Sequence, residues 1–404
     1  MVSNSPSRLD PRVNKAEPNI NALLAARIAA GDFPSAVYLV AEDGRVRFCA
    51  ALGDAVRVPA RHAATHDTIY DLASLTKPLV TGLLCAQLVE RGALALEQRV
   101  AHYLPEFNRA DKAGVTVRQL LTHTSGLPAW RPLYLLTRNR RERALEVIAA
   151  LPLEHAPGTR VVYSDLGFVT LGLLVERIAG ARLADIAQQE IFAPLKLERT
   201  FFNPQAAAQT GIAACESAGN AYEREMCSTD ALPQAPTNGQ SSNDASHDTS
   251  AEEFFRADPI WGEVHDGNAY FLGGAAGHAG LFSTARETCA IAEQFIATRT
   301  RLLKPDTCTL FRTNLTEGLN EARSFAWQLA ATPDSAAGPA LPPDSFGHLG
   351  FTGTSCWLDA ARARILILLT NRTHARALPF VNINSTRRQF HTLAIAALER
   401  TDVA

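Results

Sequence analysis

The sequence predicts an α+β protein in which both ends of the chain build one antiparallel sheet, flanked by N- and C-terminal helices, with a large and mainly helical insertion between them. Three observations carry this. Residues 36–41 and 46–51 are short β-rich runs separated by Glu42-Asp43-Gly44-Arg45, and Asp-Gly between such runs is a hairpin signal. Strand-like runs return at residues 324–330, 353–358 and 365–370, ahead of an amphipathic helix over residues 385–398. The patterns between these two regions are mainly helical. The chain therefore divides into a sheet portion, residues 18–72 with 322–404, and a helical portion, residues 73–321, with residues 1–17 as a loose leader.

In chain order, Ile20, Leu23, Leu24, Ile28 and Ala29 recur at helical spacing until Gly31 stops them. A β-like run ends at Tyr70-Asp71, an amphipathic pattern follows, and Gly92 marks its end. Residues 100–104 lead to a break at Pro105, and residues 117–128 form a helical turn closing into a Gly/Pro loop. Residues 141–151 and 167–178 read as helices. From about residue 216 to 250 the chain turns to Ser, Asn, Thr, Asp, Gln and Gly, too poor in large apolar groups to offset its ordering entropy. A mobile polar surface insertion is expected there.

At 404 residues with 47% hydrophobic and 20% charged residues, the chain has the composition of a globular protein with a sizeable core. A formal net charge of −2 gives no sign of a nucleic-acid or anionic-membrane partner. The N-terminus Met1–Arg8 is polar and is not followed by the apolar run of a secretory signal, and no segment approaches a transmembrane length. The seven cysteines are dispersed without C-x-x-C spacing and read as reduced thiols, so a cytoplasmic location is expected. Nothing in the pattern speaks to oligomeric state.

The chemistry-bearing stretch is Tyr70-Asp71-Leu72-Ala73-Ser74-Leu75-Thr76-Lys77-Pro78. On a helix, positions i and i+3 share a face, which sets the Lys77 amine near the Ser74 hydroxyl. A serine is a weak nucleophile until a neighbour takes its proton, and a helix start offers free N–H groups to developing negative charge. S-x-x-K also arises as a helix cap followed by a surface lysine. Here, however, only Lys77 of the five lysines has a serine three residues before it. Tyr163-Ser164-Asp165 precedes the helix near Gly167; a phenol made more acidic by Lys77 would serve as base and acid, while a turn tyrosine with Asp165 as N-cap is the plainer alternative. His348-Leu349-Gly350-Phe351-Thr352-Gly353 enters a strand-like run in which glycine permits close backbone approach. The Phe351 N–H is the candidate second oxyanion donor beside that of Ser74. His265-Asp266-Gly267-Asn268 is read as a loop bordering the substrate cleft. His265, Asp266, His278 and His348 match no zinc signature, and the Gly273–Gly280 segment lacks the Gly-Lys-Ser/Thr of a phosphate loop.

Taken together, these pieces resemble the penicillin-recognising serine hydrolases: class C β-lactamases, low-molecular-weight penicillin-binding proteins and family VIII esterases. The likeness runs from about residue 20 to 400, leaving out the polar insertion. It extends to Leu121-Thr122-His123-Thr124-Ser125-Gly126-Leu127 and to residues 273–283. The resemblance implies a β-lactamase/transpeptidase-like fold and an acyl-enzyme on Ser74, with Lys77 as proton-shuttling neighbour and Tyr163 as acid/base. It implies a small ester, amide or peptide substrate and no metal or organic cofactor. Asp165 stands where Asn is more usual, and its carboxylate would keep Lys77 protonated, shifting the base role towards Tyr163. His348 replaces the more common lysine of Lys-Thr-Gly and removes fixed positive charge, so ester cleavage is expected ahead of D-alanyl-D-alanine carboxypeptidase or β-lactamase activity. A non-catalytic scaffold of the same fold is the alternative of another class.

Overall fold

The computed structural model describes residues 15–229 and 254–401. Strands β1 (Ser35–Glu42) and β2 (Arg45–Val56) form the N-terminal hairpin. Asp43 and Gly44 turn it with positive φ of 49° and 71°, the left-handed pair whose twist matches that of the flanking strands. The further strands are β3 (His62–Ala63), β4 (Tyr70–Asp71), β5 (Phe282–Ser283), β6 (Gln328–Leu329), β7 (Phe346–Leu349), β8 (Ser355–Asp359) and β9 (Arg364–Thr370). Seven strands make one antiparallel sheet in the order β3-β2-β1-β9-β8-β7-β6, and β4 pairs separately with β5.

The two ends of the chain meet at the β1–β9 ladder, which runs from Ala36↔Thr370 to Glu42↔Arg364. Arg364 Nε donates to Glu42 Oε1 at 2.7 Å at its end. Tyr38, Val40, Leu366, Leu368 and Trp357 face a cluster shared with the helices Pro18–Ala29 and Asn384–Thr401. Val37, Leu39, Ile365, Ile367 and Leu369 face the helical side. Every residue of β1 and β9 is buried. Covering on both faces explains why these strands read as continuous apolar runs and not as alternations. The first helix opens on Pro18 with the Glu17 carboxylate accepting from Ile20 N–H at 2.8 Å, and it buries Ile20 and Leu24. Burial of each such side chain contributes about 1.5–3 kcal/mol.

After β4 the chain makes a 3₁₀ turn (Ala73–Leu75), a π-helical stretch (Lys77–Gly82) and an α-helix (Leu83–Glu90), ending near Gly92 at φ 70°. Gly82 is required by packing: a Cβ there would stand 2.7 Å from Ala326 Cβ. Among the described residues no helix is long and apolar enough to cross a membrane.

Three expectations are corrected. The strand read over residues 353–358 begins at Ser355, because Gly353 at φ 109° sits in a turn. His348 lies on a separate strand, β7, that the residue pattern did not separate. The strand read over residues 324–330 shrinks to β6, since Ala326 at φ 66° breaks the extended backbone. The N-terminal part of the expected polar insertion is ordered: residues 216–220 lead into the helix Ala221–Thr229, and Glu216, Asn220 and Glu223 are buried. Their polarity is absorbed by buried backbone and side-chain donors, which composition cannot reveal. Residues 230–250 of that insertion, and residues 1–14 of the expected leader, lie outside the described residues.

Candidate active site

Ser74 sits half-buried at the junction between β4 and the 3₁₀ turn. Ala73 before it has φ 47°, a left-handed conformation that costs a non-glycine residue about 1–3 kcal/mol. Two bonds hold it: Ala73 N–H donates to Asp71 Oδ1 at 2.8 Å, and Thr76 Oγ1 donates to Ala73 O at 2.6 Å. Asp71 is fixed in turn by the His265 N–H at 2.7 Å.

Lys77 lies beneath Ser74 with no exposed side-chain surface. Its Nζ donates to Ser74 Oγ at 2.9 Å and to His278 O at 3.1 Å, and pairs with Asp165 Oδ1 at 2.6 Å. The His278 carbonyl belongs to the glycine-rich turn, which also receives Thr81 Oγ1 at Gly277 O, 2.7 Å away. That turn abuts the helix Asp165–Ala179 so closely that a Cβ on Gly277 would stand 2.0 Å from Phe168 O. The Tyr163 ring centroid is 4.8 Å from Lys77 Nζ, and the tyrosine lines the same cleft as Ser74.

The charge states follow from these contacts. Burial penalises the Lys77 ammonium, but Asp165 and then Tyr163 outweigh it and lift the lysine above its ordinary pKa. Burial, aided by Asp165, also raises Tyr163 although Lys77 pulls it down. The expected pull of Lys77 on the Tyr163 phenol is present but outweighed by burial, so Lys77 rests as the ammonium paired with Asp165 and Tyr163 as the neutral phenol.

The sheet side is delivered by the turn between β7 and β8. Thr352 Oγ1 donates to Asp71 O at 2.7 Å and Thr354 Oγ1 to Leu72 O at 3.0 Å, clamping this turn onto the segment entering Ser74. Gly350 is needed for that approach, because a Cβ would stand 2.6 Å from Leu72 O and 2.0 Å from Thr354 Oγ1. His348 Nδ1 lies 2.9 Å from Leu349 O, so it carries the proton and Nε2 offers a lone pair. Burial, then Lys77 and Arg323, hold this imidazole neutral.

A cleft of about 520 Å³ gathers Ser74, Tyr163, Asp165, His265, His348, Gly350 and Phe351. His265 is tied to Glu216 Oε2 at 2.9 Å and stacks on Phe351 at 5.5 Å. Asn268, expected at the cleft, is fully buried elsewhere: its amide accepts from Leu133 N–H and donates to Arg131 O, both at 2.8 Å. It shapes the loop at residues 131–133 instead of touching substrate space. Among the described residues no three His, Cys, Asp or Glu side chains converge on a metal-sized site.

Sequence reasoning missed the arginines of this cleft, Arg323, Arg372 and Arg387. Arg323 is paired with Glu321, but Arg372 and Arg387 have no carboxylate partner among the described residues. Arg372 donates to the carbonyls of Phe351 and Val381, at 2.6 and 2.7 Å. Arg387 donates to Gly350 O, Thr354 O and Asn384 Oδ1 at 2.8–2.9 Å, while its buried Nε has no partner. Burial, then the charge of Arg372, pull Arg387 down to about 9. One signal was available: Arg387 falls on the apolar stripe of Ile383, Phe390 and Ala394, where a charged residue needs a reason.

The sequence profile of the beta-lactamase family matches residues 20–384. An N-acetylmuramyl-L-alanine amidase of Bacillus subtilis (strain 168) is 31% identical over 88% of this chain and 80% of its own length. A protein of Escherichia coli (strain K12), provisionally named a D-alanyl-D-alanine carboxypeptidase, is 29% identical over 85% of this chain and 79% of its own. Among solved structures, EstCE1, a hydrolase with promiscuous acyltransferase activity, superposes with TM-score 0.68 at 23% identity, covering 93% of this chain and 97% of that one. A class C beta-lactamase superposes with TM-score 0.67 at 15% identity, covering 94% and 96%. At those identities the two structures establish a common fold.

Proposed function

The chain belongs to the beta-lactamase family and is a serine hydrolase, and from that premise we propose that it cleaves an amide bond in a substrate bearing a carboxylate, through an acyl-enzyme on Ser74. The observation that carries this reading is the pair Arg372 and Arg387, cationic, largely buried and facing the cleft without a carboxylate partner among the described residues. A buried guanidinium is costly unless an anion offsets its charge, and a substrate carboxylate in the cleft does so. The arginines replace the positive charge that His348 withholds, which was the ground for expecting a neutral ester. The names of the two relatives, an amidase and a provisional carboxypeptidase, point the same way.

In this mechanism Ser74 Oγ attacks the carbonyl carbon while the Ser74 and Phe351 N–H groups receive the developing oxyanion. Tyr163 is neutral at rest, so it works as a relay: its oxygen takes the serine proton as its own proton passes to the leaving nitrogen. The Lys77 ammonium stabilises the charge that passes through the phenol oxygen. Water then hydrolyses the ester on Ser74 along the reverse relay. Simple esters are the second reading, favoured by the neutral His348.

Intact-mass spectrometry with a penicillin and with p-nitrophenyl acetate, on wild type and Ser74→Ala, tests the acyl-enzyme. Adducts on wild type only are expected. Kinetics on an N-acyl dipeptide and its C-terminal carboxamide then test the anion: beyond any effect common to both substrates from loosening the turn at Gly350 and Thr354, Arg387→Met should raise KM for the acid by about 10- to 100-fold more than for the carboxamide, a differential of about 1.4–3 kcal/mol. Equal effects on both substrates would overturn the carboxylate reading.

A further inference from the structure

We infer that His123 is a positioning residue for Tyr163, holding the phenol in register with Ser74 by gripping the chain on both sides of it. This inference rests on the relay role proposed for Tyr163. His123 belongs to the loop after the helix Val117–Leu121, far from Tyr163 in sequence, and does not itself line the cleft.

The geometry is a three-point clamp. His123 O accepts from Val162 N–H at 2.9 Å, the residue before the tyrosine. His123 Nδ1 accepts from Ser164 N–H at 3.0 Å, the residue after it. Between these two bonds the imidazole lies against the Tyr163 ring, centroids 4.5 Å apart and planes inclined at 34°, with Phe168 on it at 5.0 Å. Because Nδ1 accepts a backbone N–H, the ring proton sits on Nε2, and this tautomer is the one the clamp requires. The same loop extends the grip, since Pro128 O accepts from Ser164 Oγ at 2.7 Å and Ala129 O from Asp165 N–H at 2.8 Å.

His123 is held in a left-handed conformation, φ 57°, with only 2% of its surface exposed. A histidine accepts that conformation more readily than a bulky or β-branched residue, but it still costs energy that the surrounding contacts must offset. Burial, with Arg323 and Lys77 nearby, keeps the ring uncharged. An uncharged ring adds no competing cation beside Lys77 and leaves Nδ1 free to accept. Small displacements of a proton-relay oxygen cost rate steeply, because the relay works only within hydrogen-bond reach of the serine.

The test is a double-mutant cycle on the rate of Ser74 acylation by p-nitrophenyl acetate, with kcat and KM measured separately and thermal unfolding as the folding control. His123→Asn keeps an acceptor for Ser164 N–H at the Nδ1 position but loses the ring; His123→Phe keeps the ring but loses the acceptor. Each should lower the acylation rate by about 10- to 100-fold with KM changed less than about 3-fold, within the range that general acid–base positioning supplies. In a Tyr163→Phe background the same substitutions should cost less than about 2-fold, because the group they position is gone. Losses that persist undiminished in that background, or no loss in either folded single variant, overturn the inference while leaving the Tyr163 relay intact. A Tyr163→Phe enzyme as fast as wild type would instead overturn the relay itself, and this inference with it.

Discussion

Asp165 sets the charge at the centre of the cleft. It is the largest influence raising the pKa of Lys77 against burial, and it also raises that of Tyr163. Asp165→Asn removes both effects, so Lys77 and Tyr163, which the relay needs protonated, lose their protons at lower pH. The alkaline limb of kcat/KM against pH is expected to move down, and a limb that stays in place or moves up would contradict this assignment. The spacing of Ser74 and Lys77 was legible because i and i+3 must share a helical face. Arg372 and Arg387 were not, because their role depends on sheet and terminal helix meeting at residues 350–354, a distance no local pattern encodes. Asn268 failed for the opposite reason: a polar side chain in a plausible loop can be consumed entirely by backbone groups of the next loop.

At the scale of elements, the helix Ala221–Thr229 shows what composition hides. Its polar sequence suggested a surface segment, yet Tyr222, Glu223 and Met226 line the cleft. Glu223 docks the helix by accepting from Gly267 N–H at 2.7 Å and Tyr134 Oη at 2.8 Å. Burial, then the nearby Asp266 carboxylate, push Glu223 from 4.5 up to about 7. An unfolded chain releases this proton near the ordinary glutamate value, whereas the folded one retains it until neutrality. This group's contribution is thus most favourable below the ordinary value and is lost as pH rises through about 7. Glu223→Gln mimics the protonated form. Thermal unfolding should show the variant gaining on wild type at pH 8 relative to pH 5, by about 1.4 kcal/mol for each tenfold by which folding tightens the hold on this proton. A difference between the two proteins that is the same at both pH values would show that Glu223 is not held protonated by its surroundings.

The whole molecule is closed by its own ends. β1 and β9 are adjacent at the centre of the sheet although more than three hundred residues separate Ala36 from Thr370, and the two terminal helices share the cluster covering one face. The sheet could be read from the sequence because its strands are continuous apolar runs, while β6 and β7 were blurred because short strands carry too few residues to show a period. The residues of the candidate site follow the same plan: Ser74 and Lys77 come from the start of the helical part, Tyr163 and Asp165 from its middle, and His348 from the sheet. No single stretch of the chain contains the site, so its integrity depends on the β1–β9 ladder holding. A protease site engineered between residues 229 and 254 makes this measurable. After cleavage the fragment that ends near residue 229 retains β1, and the other retains β9 with the terminal helix. The buried ladder and its two covered faces should keep the fragments together in gel filtration, with Ser74 still acylated at a rate within about 3-fold of the uncut enzyme, since no ladder bond or buried contact of the sheet is cut. Fragments that part under native conditions would show that chain continuity, and not the central pairing, holds the cleft together.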